Sequence, residues 1–490
     1  MSLSGPEQLL ALVAIPLLCA VLLSCLGRWP NLREAVTLLS ALLLVCIAWP
    51  FAFAVEAGVR PSVVLAEPLP GLTLSLGVEP LGAIFVLVAS TLWVLSSLYS
   101  IGYMRANSEG HQTRFYVCFA VAISSTMGVA LADNLFTMFV FYEVLTLSTY
   151  PLVTHHGDAE ARGGGRVYLG ILLATSVGFL LTAILWTYAL AGTGDFVAGG
   201  ILKGNVEGPI VGLLLALFAF GIGKAALMPF HAWLPAAMVA PTPVSALLHA
   251  VAVVKAGVFC VTKVVIYVFG LELIRTEPST AWLPWVAGIS IVIASTIALR
   301  QDNLKRRLAF STVSQLSYIT LAAALVAPLS IMAAAMHIVA HAFGKITLFF
   351  AAGSIYTAAH KTRVSELNGI GRRMPWTMAA FAIASLSMIG LPPTVGFLSK
   401  WYLLGGAYQA EANFAIAILL ISTLLNAAYF LPIVYAAFMR KEDAGNHASH
   451  GEAPWTMVVA LTTTASITVL LFFYPGLPYA LTQQLAAGLP

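Results

Sequence analysis

The chain has 490 residues, of which 60% are hydrophobic and only 9% are charged, and its formal net charge is +4 at pH 7. Soluble domains carry about 25% charged residues, so this composition excludes a water-soluble protein and indicates a membrane protein. At about 20 apolar residues per crossing, the length accommodates about fourteen transmembrane helices and no large extramembrane domain. The small positive charge is typical of loops beside a membrane and does not indicate a nucleic-acid-binding surface.

Apolar runs bounded by charged and turn-forming residues predict the transmembrane helices, which we number as spans 1 to 14. In chain order they are 8–27, 33–54, 80–104, 115–132, 134–154, 168–191, 209–238, 242–269, 280–299, 307–326, 330–358, 375–405, 412–439 and 455–474. No basic segment precedes the first span, so it is predicted to be a retained helix and not a cleaved signal peptide.

The basic residues between spans are distributed unequally over the two faces of the membrane. The connections after odd-numbered spans carry sixteen of them: Arg28, Arg33, Arg105, Arg114, Arg162, Arg166, Arg300, Lys305, Arg306, Arg307, Lys361, Arg363, Arg372, Arg373, Arg440 and Lys441. The opposite face has only Arg60, Lys203 and Arg275. Because basic loops stay in the cytoplasm, we predict a multi-pass protein of the cell membrane with both termini outside.

Several charged side chains lie within the predicted spans, where each costs about 2.5 to 3.5 kcal/mol near the membrane centre. They are Glu143 in span 5, Lys224 in span 7, Lys255 and Lys263 in span 8, Lys345 in span 11 and Lys400 in span 12. Such residues can hold helices together as salt bridges, but so many in one bundle favour an ion pathway. Lys263 is predicted to extend to the membrane surface near the end of span 8, so it is excluded from this pathway.

Histidines accompany these lysines. In span 11, His337, His341 and Lys345 recur every four residues and therefore share one helical stripe. Because imidazole accepts a proton on one nitrogen and releases it from the other near neutral pH, the stripe predicts a proton relay. In span 8, His249 precedes Lys255 by six residues. Metal binding by the histidine pair is the alternative, but no third ligand is evident.

Two halves of the chain repeat the same pattern. Asp133-Asn134-Leu135 before span 5 matches Asp302-Asn303-Leu304 before span 10, and Lys224 matches Lys400, each with prolines close by. The copies are five spans apart, an odd number, so they are predicted to be inverted, as in secondary transporters with broken helices. The predicted fold is all-α, with inverted repeats in spans 4–8 and 9–13 and broken helices in spans 7 and 12. The chain is thereby predicted to divide into four units, residues 1–114, 115–270, 280–440 and 441–490.

Four stretches of sequence resemble a known family, the antiporter-like subunits of Mrp-type sodium/proton antiporters, respiratory complex I and membrane-bound hydrogenases. They are FVFYEVLTLSTYPL around Glu143, the long GKAALMPFHAWLPAAMVAPTPVSALLHAVAVVKAG from Gly223, HIVAHAFGKITLFFAAG from His337, and LPPTVGFLSKW before Trp401. The similarity extends over roughly residues 80 to 440.

The resemblance implies a non-enzymatic subunit that moves protons along a buried polar axis within a complex of several membrane subunits, with Na⁺ as the exchanged ion. In complex I or a hydrogenase, the same kind of subunit pumps protons. The family pairs a glutamate of span 5 with a lysine of span 7, and the implied axis is Glu143, Lys224, His249, Lys255, His337, His341, Lys345 and Lys400. Separation of the pair would favour release of the Lys224 proton to the groups that follow.

Other functions have less support in the sequence. A scaffold in which buried charges only fix helix packing stays open, whereas nothing indicates a cavity for an organic solute. Cysteines form no CxxC motif and no phosphate-binding loop is present, so the sequence indicates no cofactor and no metal centre. No sodium site can be located, since Asp133 and Asp302 are as well explained as solvated helix caps.

Overall fold

The computed structural model describes residues 3–442 and 451–487, and it is a bundle of membrane helices. The main helices are α1 (Gly5–Cys25), α2 (Pro30–Glu56), α3 (Pro80–Ala106), α4 (Gln112–Ala130), α5 (Leu135–Val153), α6 (Ala159–Ala191), α7 (Pro209–Gly221), α8 (Thr242–Phe269), α9 (Pro278–Arg300), α10 (Leu304–Ala324), α11 (Pro328–Ala359), α12 (Pro375–Ile389), α13 (Val395–Gln409), α14 (Asn413–Met439), α15 (Trp455–Phe473) and α16 (Gly476–Ala487). Part of the predicted C-terminal unit, residues 443–450, lies outside the described residues.

Eleven helices of the described chain are long and apolar enough to cross a membrane. The three other predicted spans depart from this pattern for local reasons. Span 10 is α10, a 21-residue helix that carries basic and hydroxyl side chains. Spans 7 and 12 contain breaks, and only short apolar helices, α7 and α12, remain as regular segments before them.

The structure contains both predicted breaks. After α7 the chain forms one turn of 3-10 helix, Gly223–Ala225, and then Ala226 takes a positive φ of 53°. In span 12, Gly390 ends α12 at a φ of 90°, a conformation that favours glycine, and α13 begins five residues later. Each broken span therefore places irregular backbone inside the bundle, which membrane proteins tolerate only where other protein surrounds it.

Helices α8 and α11 form the centre of the bundle, because their most apolar segments are buried completely, whereas those of α1, α2 and α15 are only a third buried. Helix α8 is not regular: it contains π-helical turns at Leu247–Val251 and Val265–Phe269. A single hydrophobic core includes residues from α1 to α16, so it crosses all four predicted units, whose boundaries stay a prediction.

A two-stranded hairpin, which the all-α prediction missed, covers one face of the bundle. Strand β1 (Ser62–Leu69) pairs antiparallel with β2 (Leu72–Gly77), from Ser62 opposite Gly77 to Leu69 opposite Leu72. We call this side the hairpin face. Both ends of the described chain lie on it, since Gly5 lies against Pro61 and Gln484 of α16 accepts a hydrogen bond from Arg60.

The two Asp-Asn-Leu segments lie on opposite faces. Asn134 caps α5 and bonds to Ser75 of the hairpin. Asn303 caps α10 beside Arg363, which follows the end of α11. That end of α11 lies at the face opposite the hairpin. Thr357 of α11 bonds to the residue after α3, and α3 starts at the hairpin and therefore ends at the opposite face. This arrangement agrees with the predicted inversion. The aspartates themselves, for which helix capping was one of two explanations, do not cap α5 and α10, because the asparagine that follows each one is the cap.

Candidate functional site

Lys224 lies in the break that follows α7 and is completely buried. Its Nζ donates to the Tyr142 carbonyl at 2.9 Å and to Thr146 Oγ1 at 2.5 Å, and it lies 3.1 Å from the centre of the Tyr142 ring. The Tyr142 hydroxyl also accepts a hydrogen bond from the Lys224 backbone N–H. One turn of α5 therefore holds the whole of Lys224, and the sequence analysis missed both Tyr142 and Thr146.

Glu143 makes no contact ion pair with Lys224, contrary to what the resemblance implied. The ion pairs of the described residues do not include one at Lys224, and Glu143 Oε1 is buried without a hydrogen-bond partner. The reason is helical geometry, because successive residues of a helix point about 100° apart and Tyr142 faces the lysine. Glu143 is half-buried toward the outside of the bundle and acts on Lys224 through space.

Lys255 and the histidine stripe of α11 are in direct contact. Lys255 Nζ lies 2.6 Å from His341 Nδ1, and the rings of His341 and His337 have their centres 6.1 Å apart. All three side chains are almost completely buried. The stripe predicted from the spacing in span 11 therefore meets the lysine of span 8 at the centre of the bundle.

Ser399 extends this row to α13. His337 Nδ1 lies 2.8 Å from Ser399 Oγ, and Ser399 adjoins Lys400 on α13. Lys400 Nζ donates to the carbonyls of Met388 and Ile389 at 2.7 and 3.0 Å. These carbonyls have no partner within α12 because they belong to its last turn, and the negative end of a helix favours a cation there.

Lys345 joins the same row by a longer route. Its Nζ donates to Ser311 Oγ at 2.7 Å, and Ser311 lies 3.0 Å from the Tyr429 hydroxyl. From there the hydrogen-bonded groups are the Tyr429 hydroxyl, Asn426 Oδ1, Gln315 Nε2, Gln315 Oε1 and His337 Nε2. His337 is therefore the junction of two branches, one that ends at Ser399 and one that ends at Lys345.

His249 lies beside the row but has no hydrogen bond to it. Both ring nitrogens are buried without a partner among the described residues, and the ring packs against Phe349 with centres 4.6 Å apart. Between Lys224 and Lys255 the described side chains form no direct hydrogen bond. Of the eight predicted site residues, the structure brings Lys255, His341 and His337 into one row, joins Lys345 to His337 through hydrogen bonds, and places Lys400 next to Ser399 in the chain. It leaves Glu143, Lys224 and His249 outside this set.

Lys263 does not extend to the membrane surface as predicted. It is completely buried, and its Nζ lies 2.9 Å from Glu79 Oε1 and donates to the Ala132 carbonyl at 2.6 Å. The carboxylate comes from the turn before α3, 184 positions earlier in the sequence. No pattern within span 8 indicates that partner, which is why the spacing argument failed here.

A cavity of about 380 Å³ lies on the face opposite the hairpin and reaches the start of α8 at Thr242. Its lining includes Glu109, His156 and Lys305. His156 lies 3.3 Å from Glu109, and this contact raises the pKa of His156 above its ordinary value of 6.5. Ionisable side chains therefore line a cavity at the start of α8 on this face.

Metal binding gains no support from the structure. Across residues 3–442 and 451–487, no three histidine, cysteine, aspartate or glutamate side chains are arranged to hold a metal ion. The ring nitrogens of His337 are used by Ser399 and Gln315, and His341 Nδ1 is used by Lys255.

Comparison with known proteins identifies the family of the chain. The family described as "NADH:quinone oxidoreductase/Mrp antiporter, TM" matches residues 132–426, which contain every predicted site residue. The chain belongs to this family. The resemblance found in the four sequence stretches is therefore confirmed.

Relatives in the family belong to different complexes. The chain is 34% identical over 370 residues to the N subunit of the NADH-quinone oxidoreductase of Desulforudis audaxviator, covering 75% of this chain and 73% of the relative. It is 35% identical over 380 residues to the A/B subunit of a probable K⁺/H⁺ antiporter of Rhizobium meliloti, covering 74% of this chain but only 36% of that longer protein.

The fold is shared with a solved complex. A chain of the Mrp complex from Dietzia sp. DQ12-45-1b superposes with a TM-score of 0.87 over 98% of this chain and 97% of that one, at 22% identity. At this identity the likeness shows the fold alone. It confirms the predicted class, a multi-pass helical membrane protein with the architecture of one component of a multisubunit membrane complex.

Proposed function

We propose that the chain is the proton-translocating component of a multisubunit Na⁺/H⁺ antiporter in the cell membrane, where it serves as the D subunit of an Mrp-type complex. It is then part of a transporter and not itself an enzyme, with neighbouring membrane proteins as partners and with protons and Na⁺ as transported ions. The hairpin face is the outer face in this proposal, and both termini lie outside. The family and the antiporter relative support the class, and the buried row supports the mechanism.

The observation that carries the proposal is the buried row at the centre of the bundle, in which Lys255 contacts His341, His337 contacts Ser399, and the two imidazole rings have their centres 6.1 Å apart. Amines and imidazoles that share short contacts can pass a proton, since each can both accept and release one. Lys255, His341 and His337 lie on the two helices whose most apolar segments are completely buried, and Ser399 of α13 is buried as well, so lipid does not reach the row.

Charge repulsion couples the sites. Buried ammonium groups that are close together disfavour one another, so the protonation of one site depends on that of the next. A proton that arrives from the cavity at Thr242 enters at the start of α8, and His249, about two turns further along this helix, has both ring nitrogens unpaired. Water between His249, Lys255 and Lys224 would complete the route, because no direct hydrogen bond of the described side chains joins them.

Glu143 and Lys224 act as the control element at one side of the bundle. Glu143 is open toward the outside of the bundle, where a neighbouring protein of the complex would approach it, and its charge acts on Lys224 across one turn of α5. Loss of the negative charge on Glu143 removes an interaction that favours the charged lysine. Release of the Lys224 proton then follows.

The test is ΔpH-driven cation exchange in membrane vesicles that contain the whole complex. We expect Lys224→Ala and Glu143→Ala to abolish exchange while the complex still assembles, with Lys203→Ala as control because Lys203 forms an exposed ion pair with Glu272. Full activity of either test variant contradicts the proposal. Loss of assembly before loss of transport would instead favour a scaffold.

A second function has a specific observation in its favour, the relation to the N subunit of a quinone oxidoreductase. In that case the same buried row pumps protons for a redox-linked complex. Mass identification of the proteins that co-purify with the chain separates the two functions. Partners with redox centres favour the second, and partners without them favour the antiporter.

A further inference from the structure

Lys263 differs from the other lysines within the spans in its partner. Among the described residues it is the one lysine of this set that has a carboxylate within ion-pair distance, at 2.9 Å from Glu79 Oε1. Lys224, Lys345 and Lys400 instead donate to carbonyl or hydroxyl oxygens. A contact ion pair inside the membrane is thus found near the hairpin face and not at the centre.

The pair connects the interior to the surface. The Lys263 side chain is 1% exposed, whereas that of Glu79 is 18% exposed. Lys263 follows Lys255 by eight residues of α8, which is about 12 Å along the helix toward the hairpin face. Lys263 Nζ also lies 4.4 Å from the centre of the Phe196 ring, which belongs to the segment that bonds to Asp133 at the hairpin face. Glu79 is therefore the group through which Lys263 meets water.

Other charged groups surround the pair on every packed element. Asp133, from the turn between α4 and α5, interacts electrostatically with both members of the pair, and the exposed Asp195 interacts with Asp133. Tyr267 of α8 interacts electrostatically with both Glu79 and the exposed Arg60. The two aspartates extend the negative potential of Glu79 toward the hairpin face. A negative potential attracts cations, including protons, to that face.

We propose that Glu79 and Lys263 form the proton gate of this protein on the hairpin face, a role that rests on the proposed function. The Lys263 ammonium gives its proton to the Glu79 carboxylate, which leaves a neutral amine and a neutral carboxylic acid. Glu79 then releases the proton to water beside Asp133, and the neutral amine takes the next proton from the Lys255 side. Run in reverse, the same steps admit a proton from this face.

The decisive variant is Lys263→Arg in the intact complex. Arginine keeps the positive charge and the ion pair with Glu79, but it does not release its proton in a protein. A gate predicts a fall in ΔpH-driven exchange of about a hundredfold, the usual contribution of a proton-transfer group. A purely structural pair predicts unchanged exchange. Lys203→Arg, the same substitution in the exposed pair with Glu272, is the control and should remain fully active.

The double variant Glu79→Gln/Lys263→Gln covers the case in which arginine does not fit. It keeps an amide contact at the pair and removes every titratable proton. An assembled complex that exchanges poorly supports the gate. Normal exchange by either variant overturns it, and so does a failure of both variants to assemble, since the pair is then structural. Lys224→Ala measured in parallel separates the gate from the proposed function: an active Lys224→Ala refutes the function, whereas an active Lys263→Arg refutes only the gate.

Discussion

Gly257 of α8 provides a test of how Lys224 is held. A Cβ atom built at Gly257 would lie less than 3.0 Å from the backbone nitrogen of Ala225 and from the backbone carbonyl group of Lys224. Both are backbone atoms of the break after α7, so no change of rotamer can relieve the overlap. Gly257→Ala therefore pushes the backbone of Lys224 away from α8 and toward α5.

The size of the effect follows from two opposing contributions. Overpacking of a tight site costs about 1–3 kcal/mol, whereas replacement of glycine by alanine within a helix contributes about 1 kcal/mol of stability. The fold should thus lose little. The Lys224 ammonium, however, depends on hydrogen bonds to the Tyr142 carbonyl and to Thr146, and a hydrogen bond to a charged group contributes about 1.5–3 kcal/mol. Loss of one such bond corresponds to about a tenfold or larger change in rate.

We expect Gly257→Ala to lower ΔpH-driven exchange at least about tenfold while the melting temperature of the complex stays nearly constant. Gly170→Ala on α6 is the matched control, because no atom lies within 4 Å of its added Cβ, and it should leave exchange unchanged. Normal exchange by Gly257→Ala would show that the position of Lys224 does not matter. A large fall in melting temperature would show that the overlap acts on the fold.

Two further outcomes can be measured on the same complex. Gln315→Leu removes the hydrogen bonds to His337 and to Asn426, so the rate of exchange should fall about tenfold. The control is Thr187→Ala, which removes a buried hydroxyl that bonds within α6 and should leave the rate of exchange unchanged. Equal rates for the two variants would contradict the Lys345 branch. Because Glu109 raises the pKa of His156, their contact stabilises the fold below pH 6.5 and is lost as the pH rises through the raised pKa. The melting temperature of His156→Gln should therefore fall less between pH 6 and pH 8 than that of the unchanged chain; an equal fall would contradict this assignment.

Much of the site could be predicted because membrane insertion makes polar residues conspicuous. Each lysine within a span is costly, so Lys224, Lys255, Lys345 and Lys400 are evident without structural knowledge. The i, i+4, i+8 spacing likewise placed His337 and His341 on one face of α11. Prolines and glycines marked both breaks. These features are local in sequence, and local patterns are sufficient to identify them.

The connections between these residues could not be predicted in the same way. Gln315 bonds to Asn426, 111 positions later, and neither residue repeats at a spacing that would single it out. Lys263 was misplaced for a related reason, because its partner Glu79 precedes it by 184 positions and lies before the first repeat. The π-helical turns of α8, which rotate His249 relative to Lys255, leave no signature in the apolar run. Long-range contacts decide which polar residues form a route, and one sequence does not encode them in its spacing.

The partners of the buried lysines explain why the centre of the bundle suits proton movement. If Lys224 were in contact with Glu143, loss of its proton would leave an unpaired buried carboxylate, and breaking a buried ion pair costs about 3–5 kcal/mol. Lys224 and Lys400 instead donate to carbonyl and hydroxyl oxygens. Neutral acceptors lose only a hydrogen bond when the amine becomes neutral, at a cost of about 1–3 kcal/mol.

Broken helices supply such acceptors. The end of α12 leaves the carbonyls of Met388 and Ile389 free for Lys400, and the break after α7 brings Lys224 against the Tyr142 carbonyl of α5. A continuous helix would use its carbonyls internally and leave a buried lysine dependent on a carboxylate. The two breaks therefore permit the central lysines to change charge at low cost, whereas Lys263, paired with Glu79, gives up its proton only when that carboxylate takes it.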